Sequence, residues 1–411
     1  MIPADPTGGA GRSALARCIA CATDHFAEHF WGRAPLLSRR AELAGDFADL
    51  LSAAAVDELI SQRGLRTPFL RMAKEGKVLP AATFTRGGGA GASVADQAAD
   101  DKVLAAMAEG ATLVLQALHR SWPPLVEFGS ALAAELGHPV QINAYITPAQ
   151  SQGFAAHYDV HDVFVLQIAG RKQWTISEPV VTAPLDNQPW EKHRAAVAAR
   201  AAERPLIDTV LEPGDALYLP RGTIHSAVAQ GETSIHLTVG VHPLSRYQLV
   251  RQLLDLAQDD PELRTSLPMG VDLGDPAVLA GELTATLAAL HGRLDAIPAA
   301  DVARRIATNL MQRTRPEPIG PLAQLAAADA LTATTPLRLR SALRVRIETG
   351  GGEVRLVLLD RTISLPAAAA DAVKTVLAGG TVRPEQLPGL ADEDRLVVAR
   401  RLVGEGVLVP A

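Results

Sequence analysis

Two histidines and one aspartate stand out by their spacing. In Phe154-Ala155-Ala156-His157-Tyr158-Asp159-Val160-His161-Asp162-Val163-Phe164, His157 and Asp159 lie two residues apart. On an extended strand, residues i and i+2 point to the same face, so both side chains can reach one ion. A second histidine closes the later run Tyr218-Leu219-Pro220-Arg221-Gly222-Thr223-Ile224-His225. Two imidazoles and one carboxylate on one side of a metal leave about half of an octahedron open. An iron(II) oxygenase needs those open positions for cosubstrate and oxygen. His161 shares the face of His157 and Asp159 if the strand is regular, so Asp159-x-His161 is a rival pair. The plain alternative is a set of ordinary polar strand residues, because His-x-Asp recurs by chance. The setting adds weight: the pair leads into an apolar strand, and a Pro-Arg-Gly turn precedes His225.

Lys172 points to an anion. In Lys172–Ile176 the residues Lys172, Trp174 and Ile176 share one face, with Arg171, Gln173 and Thr175 on the other. An apolar face turned into a barrel carries Lys172 inward, and a buried ammonium is costly unless an anion pairs with it. A carboxylate of 2-oxoglutarate is such an anion; the alternative is a lysine at a strand start snorkelling to water. The row Asn143, Tyr145, Thr147 can supply hydrogen bonds to the same ligand, as can Ser234, His236 and Thr238. Either row can equally be a solvated outer face.

These residues sit in a stretch of strand patterning from Val140 to about His242. Val140–Thr147 alternates, Val163–Ile168 is an apolar run, and Lys172–Ile176, Ala216–Leu219, Thr223–Ala229 and Ser234–Val241 follow between Gly and Pro turns. Closely spaced strands of this kind predict a β-barrel or sandwich. Residues 13–64 read as helices broken around Trp31–Pro35, 101–136 as helical, 182–205 as a partly helical insertion, and 246–312 as helical again. Residues 1–12 read as frayed, Gly87–Ala92 as a flexible loop, and Arg315–Pro318 as a linker. The tail reads as strands at Leu339–Ile347 and Val354–Ser364, helices at Ala367–Leu377 and Asp392–Gly404, and a short strand at Gly406–Val409. That order predicts a small winged-helix-like domain.

Composition sets the outer limits. A chain of 411 residues exceeds one ordinary core, so several domains are expected. Apolar residues at 48% and charged residues at 20% are globular values. The net charge of -6 disfavours nucleic acid as the main partner. No apolar run spans a bilayer, and the N-terminus lacks the pattern of a signal peptide, so no membrane association is expected. Cys18 and Cys21 are the two cysteines. They cannot complete a four-ligand zinc site alone, read as packing residues in an Ala-rich helix, and fit a reducing cytoplasm.

Taken together the motifs resemble the bacterial JmjC-type cupins related to ribosomal oxygenases. The resemblance rests on Asn143-Ala144-Tyr145-Ile146-Thr147-Pro148 and Ser151-Gln152-Gly153-Phe154. It continues through His157-Tyr158-Asp159, Asp162–Gln167, Gly170-Arg171-Lys172-Gln173-Trp174 and Tyr218–His225. Glu28–Leu37 is similar to the family's opening. The resemblance implies an α+β chain built on a double-stranded β-helix, the cupin jelly roll. Expected divisions are an N-terminal helical region (1–125) packed on the barrel, a catalytic core (126–245), a helical dimerisation module (246–314) and a winged-helix-like domain (315–411). It implies Fe(II) at His157, Asp159 and His225. It also implies 2-oxoglutarate as cosubstrate, with Lys172 at its distal carboxylate and Asn143 and Tyr145 lining the pocket. Some relatives place a serine on the last strand where this chain has Gly240, and Thr238 is the candidate substitute. The expected activity is a cytoplasmic, homodimeric 2-oxoglutarate-dependent dioxygenase that uses molecular oxygen to hydroxylate a protein side chain, with ribosomal proteins as the substrates the resemblance suggests. Competing expectations are a hydroxylase of a small natural product or peptide precursor, and a non-catalytic cupin/winged-helix regulator.

Overall fold

The computed structural model describes residues 13–149, 151 and 154–411. Residues 1–12, read as frayed, and Gln152 and Gly153 of the family motif lie outside them. The chain divides into two compact units between Pro243 and Leu244.

The barrel of the first unit is built on two sheets. Strands Leu36–Ser38, Ala216–Leu219, Asp162–Ala169, Ser234–Val241, Val140–Thr147, Thr112–Leu115, Leu70–Lys74 and Lys77–Val78 form the larger, in that spatial order. Ile207–Leu211, Lys172–Ser177 and Ile224–Ala229 form the smaller, with Lys172–Ser177 in the middle. Alternation decides which residues go where. Phe164, Leu166, Tyr218, Leu237 and Val239 leave one face of the large sheet and pack with Phe26, Leu51 and Leu59 of the N-terminal segment. Val163, Val165, Leu217 and Leu219 leave the other face and meet Trp174, Ile176 and Leu211 of the small sheet. The result is the expected barrel of mixed α and β content, with its apolar filling at one end.

The region before 126 differs from its expected helical character. Its helices are short (Thr23–His29, Ala53–Ser61 and Asp100–Ala108), and four of its strands extend the barrel's own sheet. The apolar positions at 101–136 had predicted one helical stretch. Instead the helix Asp100–Ala108 gives way to a turn at Gly110, whose φ of +92° suits glycine, and the chain enters the strand Thr112–Leu115. Leu113, Val114 and Leu115 are buried on both faces, and a run buried on both faces has no period to distinguish strand from helix. Leu104, on the helix Asp100–Ala108, is 69% exposed. Cys18 lies in a turn rather than a helix, buried, its thiol pushed up to about 12 by desolvation.

The second unit opens with helices Arg246–Ala257, Pro276–Asp295 and Ala299–Arg313. Ser245 caps the first of these by accepting the Gln248 N–H at 3.3 Å. The remainder packs Ala372, Val373, Leu402 and Val403 of two helices against Val354, Leu356 and Leu408 of two small sheets. Val354–Ser364, expected as one strand, is a hairpin of Glu353–Val357 and Thr362–Pro366. Likewise Leu339–Ile347 is divided between Leu337–Leu339 and Arg346–Gly350. Among the described residues no helix is long and apolar enough to cross a membrane.

Candidate metal centre

His157 and Asp159 do not lie on a regular strand. The segment that carries them is tied to the small sheet by a single antiparallel bridge between His157 and His225. The His157 N–H donates to the His225 carbonyl at 3.1 Å, and the His225 N–H donates back at 2.8 Å. The Gly222 N–H donates to the Asp159 carbonyl at 2.9 Å. Three backbone hydrogen bonds therefore hold both halves of the set. The turn before His225 is anchored from beneath by Asp162, which is buried. Its carboxylate accepts from the Tyr218 hydroxyl at 2.8 Å and the Arg221 N–H at 2.9 Å. Gly222 sits at φ +88°, and a Cβ there would fall 2.4 Å from the Val181 carbonyl oxygen, so this turn requires glycine.

One ligand atom each from His157, Asp159 and His225 lies within 4.8 Å of the others. His225 Nε2 is 3.9 Å from Asp159 Oδ2, and the two imidazole rings are 4.5 Å apart. His157 Nδ1 is 2.7 Å from the Ala155 carbonyl oxygen, and His225 Nδ1 is 3.0 Å from that of Thr223. A proton on each Nδ1 satisfies those carbonyls and leaves each Nε2 lone pair for a metal. Burial, reinforced by His157, pulls His225 down to about 4, which keeps its ring neutral near pH 7. Burial opposes ionisation of Asp159, but His161, His225, His157 and Arg71 outweigh it and hold the carboxyl below its usual range. The donors are thus two imidazole nitrogens and one carboxylate oxygen, which fits a divalent first-row cation.

His161 falls outside this group. Its ring stacks on His242 at 5.0 Å and lies over Gly240, where an added Cβ would come within 2.6 Å of His161 Cδ2 and Nε2. Glycine at position 240 is therefore coupled to where this histidine packs.

The metal group opens into a cleft of about 390 Å³. Tyr145, Lys172, His236 and Thr238 line it with the three ligand candidates. Lys172 is 4% exposed, and its ammonium donates to Thr147 Oγ1 at 3.0 Å. Among the described residues no carboxylate pairs with it, and burial pulls its amine down to about 7. Tyr145 stacks on His236 at 5.0 Å. Burial also holds His236 well below its usual range, and its Nδ1 has no hydrogen-bond partner. Trp174 Nε1 and Gln167 Oε1 are buried without partners as well. Unmet polar atoms beside an unpaired ammonium suit a small, polar, anionic ligand. Asn143 is placed differently: its side-chain oxygen accepts the Ala117 N–H at 3.0 Å, and it is not among the lining residues.

Sequence reasoning missed Arg71. The strand that carries it was not anticipated, and only the pairing register brings it to the cleft: Arg71 opposes Val114, which opposes Tyr145. No local pattern around Arg71 carries that information.

The JmjC domain family matches residues 127–249. Human "Ribosomal oxygenase 1" is 30% identical over 256 residues, covering 60% of this chain and 37% of that protein. The "Bifunctional lysine-specific demethylase and histidyl-hydroxylase NO66" of Culex quinquefasciatus is 29% identical over 256 residues, with the same two coverages of 60% and 37%. The chain thus matches little more than a third of the length of these curated relatives. Among solved structures, the Escherichia coli ribosomal oxygenase YcfD superposes with a TM-score of 0.52 at 17% identity, covering 96% of this chain and 99% of that one. YcfD in complex with cobalt and 2-oxoglutarate superposes at 0.51 with 16% identity, covering 95% and 99%. At that identity the likeness concerns the fold.

Proposed function

We propose, on the premise that residues 127–249 form a JmjC domain similar to those of ribosomal oxygenases, that this protein is an Fe(II)- and 2-oxoglutarate-dependent hydroxylase of a protein side chain. The observation that carries this reading is the convergence of His157, Asp159 and His225 beside a cleft that ends at the unpaired Lys172. In this reading the three side chains hold the metal. Lys172 and Thr147 receive the distal carboxylate of 2-oxoglutarate, and Tyr145, His236 and Thr238 line its path. A bound ferrous ion supplies the oxidative chemistry that converts 2-oxoglutarate and dioxygen to succinate, carbon dioxide and a hydroxylated C–H bond. The protein orients the reactants and limits water: Trp174 lines the cleft beside Lys172 and His225, while Phe154 and Trp190 flank His157 with ring centres at 5.9 and 6.1 Å. Ribosomal proteins are the first substrates to examine, given the relatives' names. A cytoplasmic location fits the two free cysteines. The test is anaerobic binding of iron(II) and 2-oxoglutarate, followed by aerobic incubation with ribosomal proteins and peptides. Succinate release together with a +16 Da product is expected. Binding of neither, or turnover confined to small metabolites, would overturn the reading.

The reading extends to a homodimer formed through the helices after 245, with a winged-helix-like C-terminal domain. Pro276–Asp295 is a helix of 20 residues without one buried residue, and Leu279, Leu283 and Leu287 are all exposed on it. Tyr247, Leu249, Val250 and Leu254 are exposed on Arg246–Ala257. Apolar rows of that extent ordinarily mark an interface. Light scattering should therefore give twice the chain mass at micromolar concentration, with Leu283→Glu combined with Leu287→Glu giving a monomer. A monomeric wild type would remove the dimer.

A further inference from the structure

The floor of the cleft contains a cationic group that neither metal ligation nor the Lys172 pocket uses. Arg71, Val114, Tyr145, His236 and Gln167 form one row across five adjacent strands, each opposite the next in register. A neighbouring row holds Thr112, Thr147 and Ser234, and Lys172 reaches that row through Thr147. Arg71 therefore lies beside the Lys172 pocket rather than in it. Val114, short and apolar, leaves the guanidinium room to reach past it. Arg71 shares a hydrogen bond with Tyr145, and its guanidinium carbon is 5.6 Å from the centre of the Phe154 ring. The charge acts on Asp159.

The charges decide what this arrangement admits. In the loaded site a divalent cation, the Asp159 carboxylate, a dicarboxylate and the Lys172 ammonium cancel. Arg71 then leaves one surplus positive charge where a substrate side chain must approach. Glu191, at the exposed rim, does not reverse this, because Arg194 lines the same rim and packs over Trp190 at 4.9 Å. A like charge placed in such a cleft is strongly disfavoured, whereas an acceptor atom there meets the donor N–H groups of the guanidinium.

We propose that Arg71 is the specificity-determining residue of the cleft: it donates to a hydrogen-bond acceptor on the reacting side chain and bars lysine and arginine side chains. The inference rests on the reading above, and its test separates the two. The protein is loaded with Mn(II), a paramagnetic substitute for iron, and with 2-oxoglutarate. The Mn(II)-induced relaxation of side-chain protons is then measured for N-acetylasparagine amide, N-acetylhistidine amide and N-acetylarginine amide. Wild type should relax the asparagine and histidine probes at least about tenfold more than the arginine probe. Arg71→Met should abolish that preference and leave Mn(II) and 2-oxoglutarate affinities within about threefold of wild type. Arg71→Lys, which keeps the charge, should still exclude the arginine probe, and its melting temperature checks that the fold survives. Equal relaxation of all three probes in wild type, including none, overturns the proposal. So does a loss of about tenfold in 2-oxoglutarate affinity in Arg71→Met, which would assign Arg71 to the cosubstrate. Failure of wild type to bind Mn(II) or 2-oxoglutarate sinks the underlying reading itself.

Discussion

Alanine at His157 or at His225 should each abolish metal binding and turnover, and alanine at His161 should preserve binding. The two imidazoles and the Asp159 carboxylate present one ligand atom each within 4.8 Å of one another. Removing either imidazole leaves two protein ligands for a labile ferrous ion. Loss of an outer-shell partner alone typically costs about 10- to 100-fold in metal affinity, so loss of a ligand should exceed that. His161 is packed on His242 and over Gly240 instead, and its removal should leave the ligand set intact. Anaerobic iron(II) titration of the three variants is the measurement. Metal binding that survives in His157→Ala and vanishes in His161→Ala would transfer the site to the rival Asp159-x-His161 pair.

The second large effect is expected at Lys172. Lys172→Ala should raise the 2-oxoglutarate requirement about ten- to a hundred-fold, the equivalent of about 1.5–3 kcal/mol for a charge-assisted hydrogen bond, with iron affinity nearly unchanged. The pH dependence follows from the depressed amine. Burial brings Lys172 from 10.5 to about 7 in the folded protein. Above about pH 7 the folded protein must take up a proton to present an ammonium to the ligand. Affinity for 2-oxoglutarate should then fall by up to about tenfold per pH unit, and this slope should vanish in Lys172→Ala. Between about 7 and 10.5 the unfolded chain holds a proton that the folded, ligand-free chain does not. This group alone therefore makes the folded state more stable as pH rises through that window. Calorimetric titration at several pH values measures the slope, and equal slopes in wild type and variant would show that Lys172 does not meet the cosubstrate.

Much of this protein is legible in local pattern, because some physical rules act over two to eight residues. Val140–Thr147, Ala216–Leu219 and Ser234–Val241 have the limits that alternation and turn residues predict. The inward parity of Lys172 beside Trp174 and Ile176 follows from the period of a strand, and all three are buried. The type and spacing of His157, Asp159 and His225 are likewise legible, and the fold brings one ligand atom of each within 4.8 Å of the others. Other features are settled only by contacts distant in sequence. The segment around His157 is not a strand of either sheet; a single bridge to His225 aligns it, and that bridge exists only once the turn at Gly222 is seated on Asp162 and beneath Val181. The exclusion of His161 depends on the space over Gly240, and the placement of Asn143 depends on the Ala117 N–H that it accepts. Thr112–Leu115 could be told from a helix only by its neighbours, because burial on both faces erases the period that separates the two. Arg71 enters the cleft through a pairing register two strands removed from Tyr145, which no local property of its own segment encodes. Residue chemistry and period are written along the chain, whereas register and the space left between packed neighbours arise only when distant segments meet.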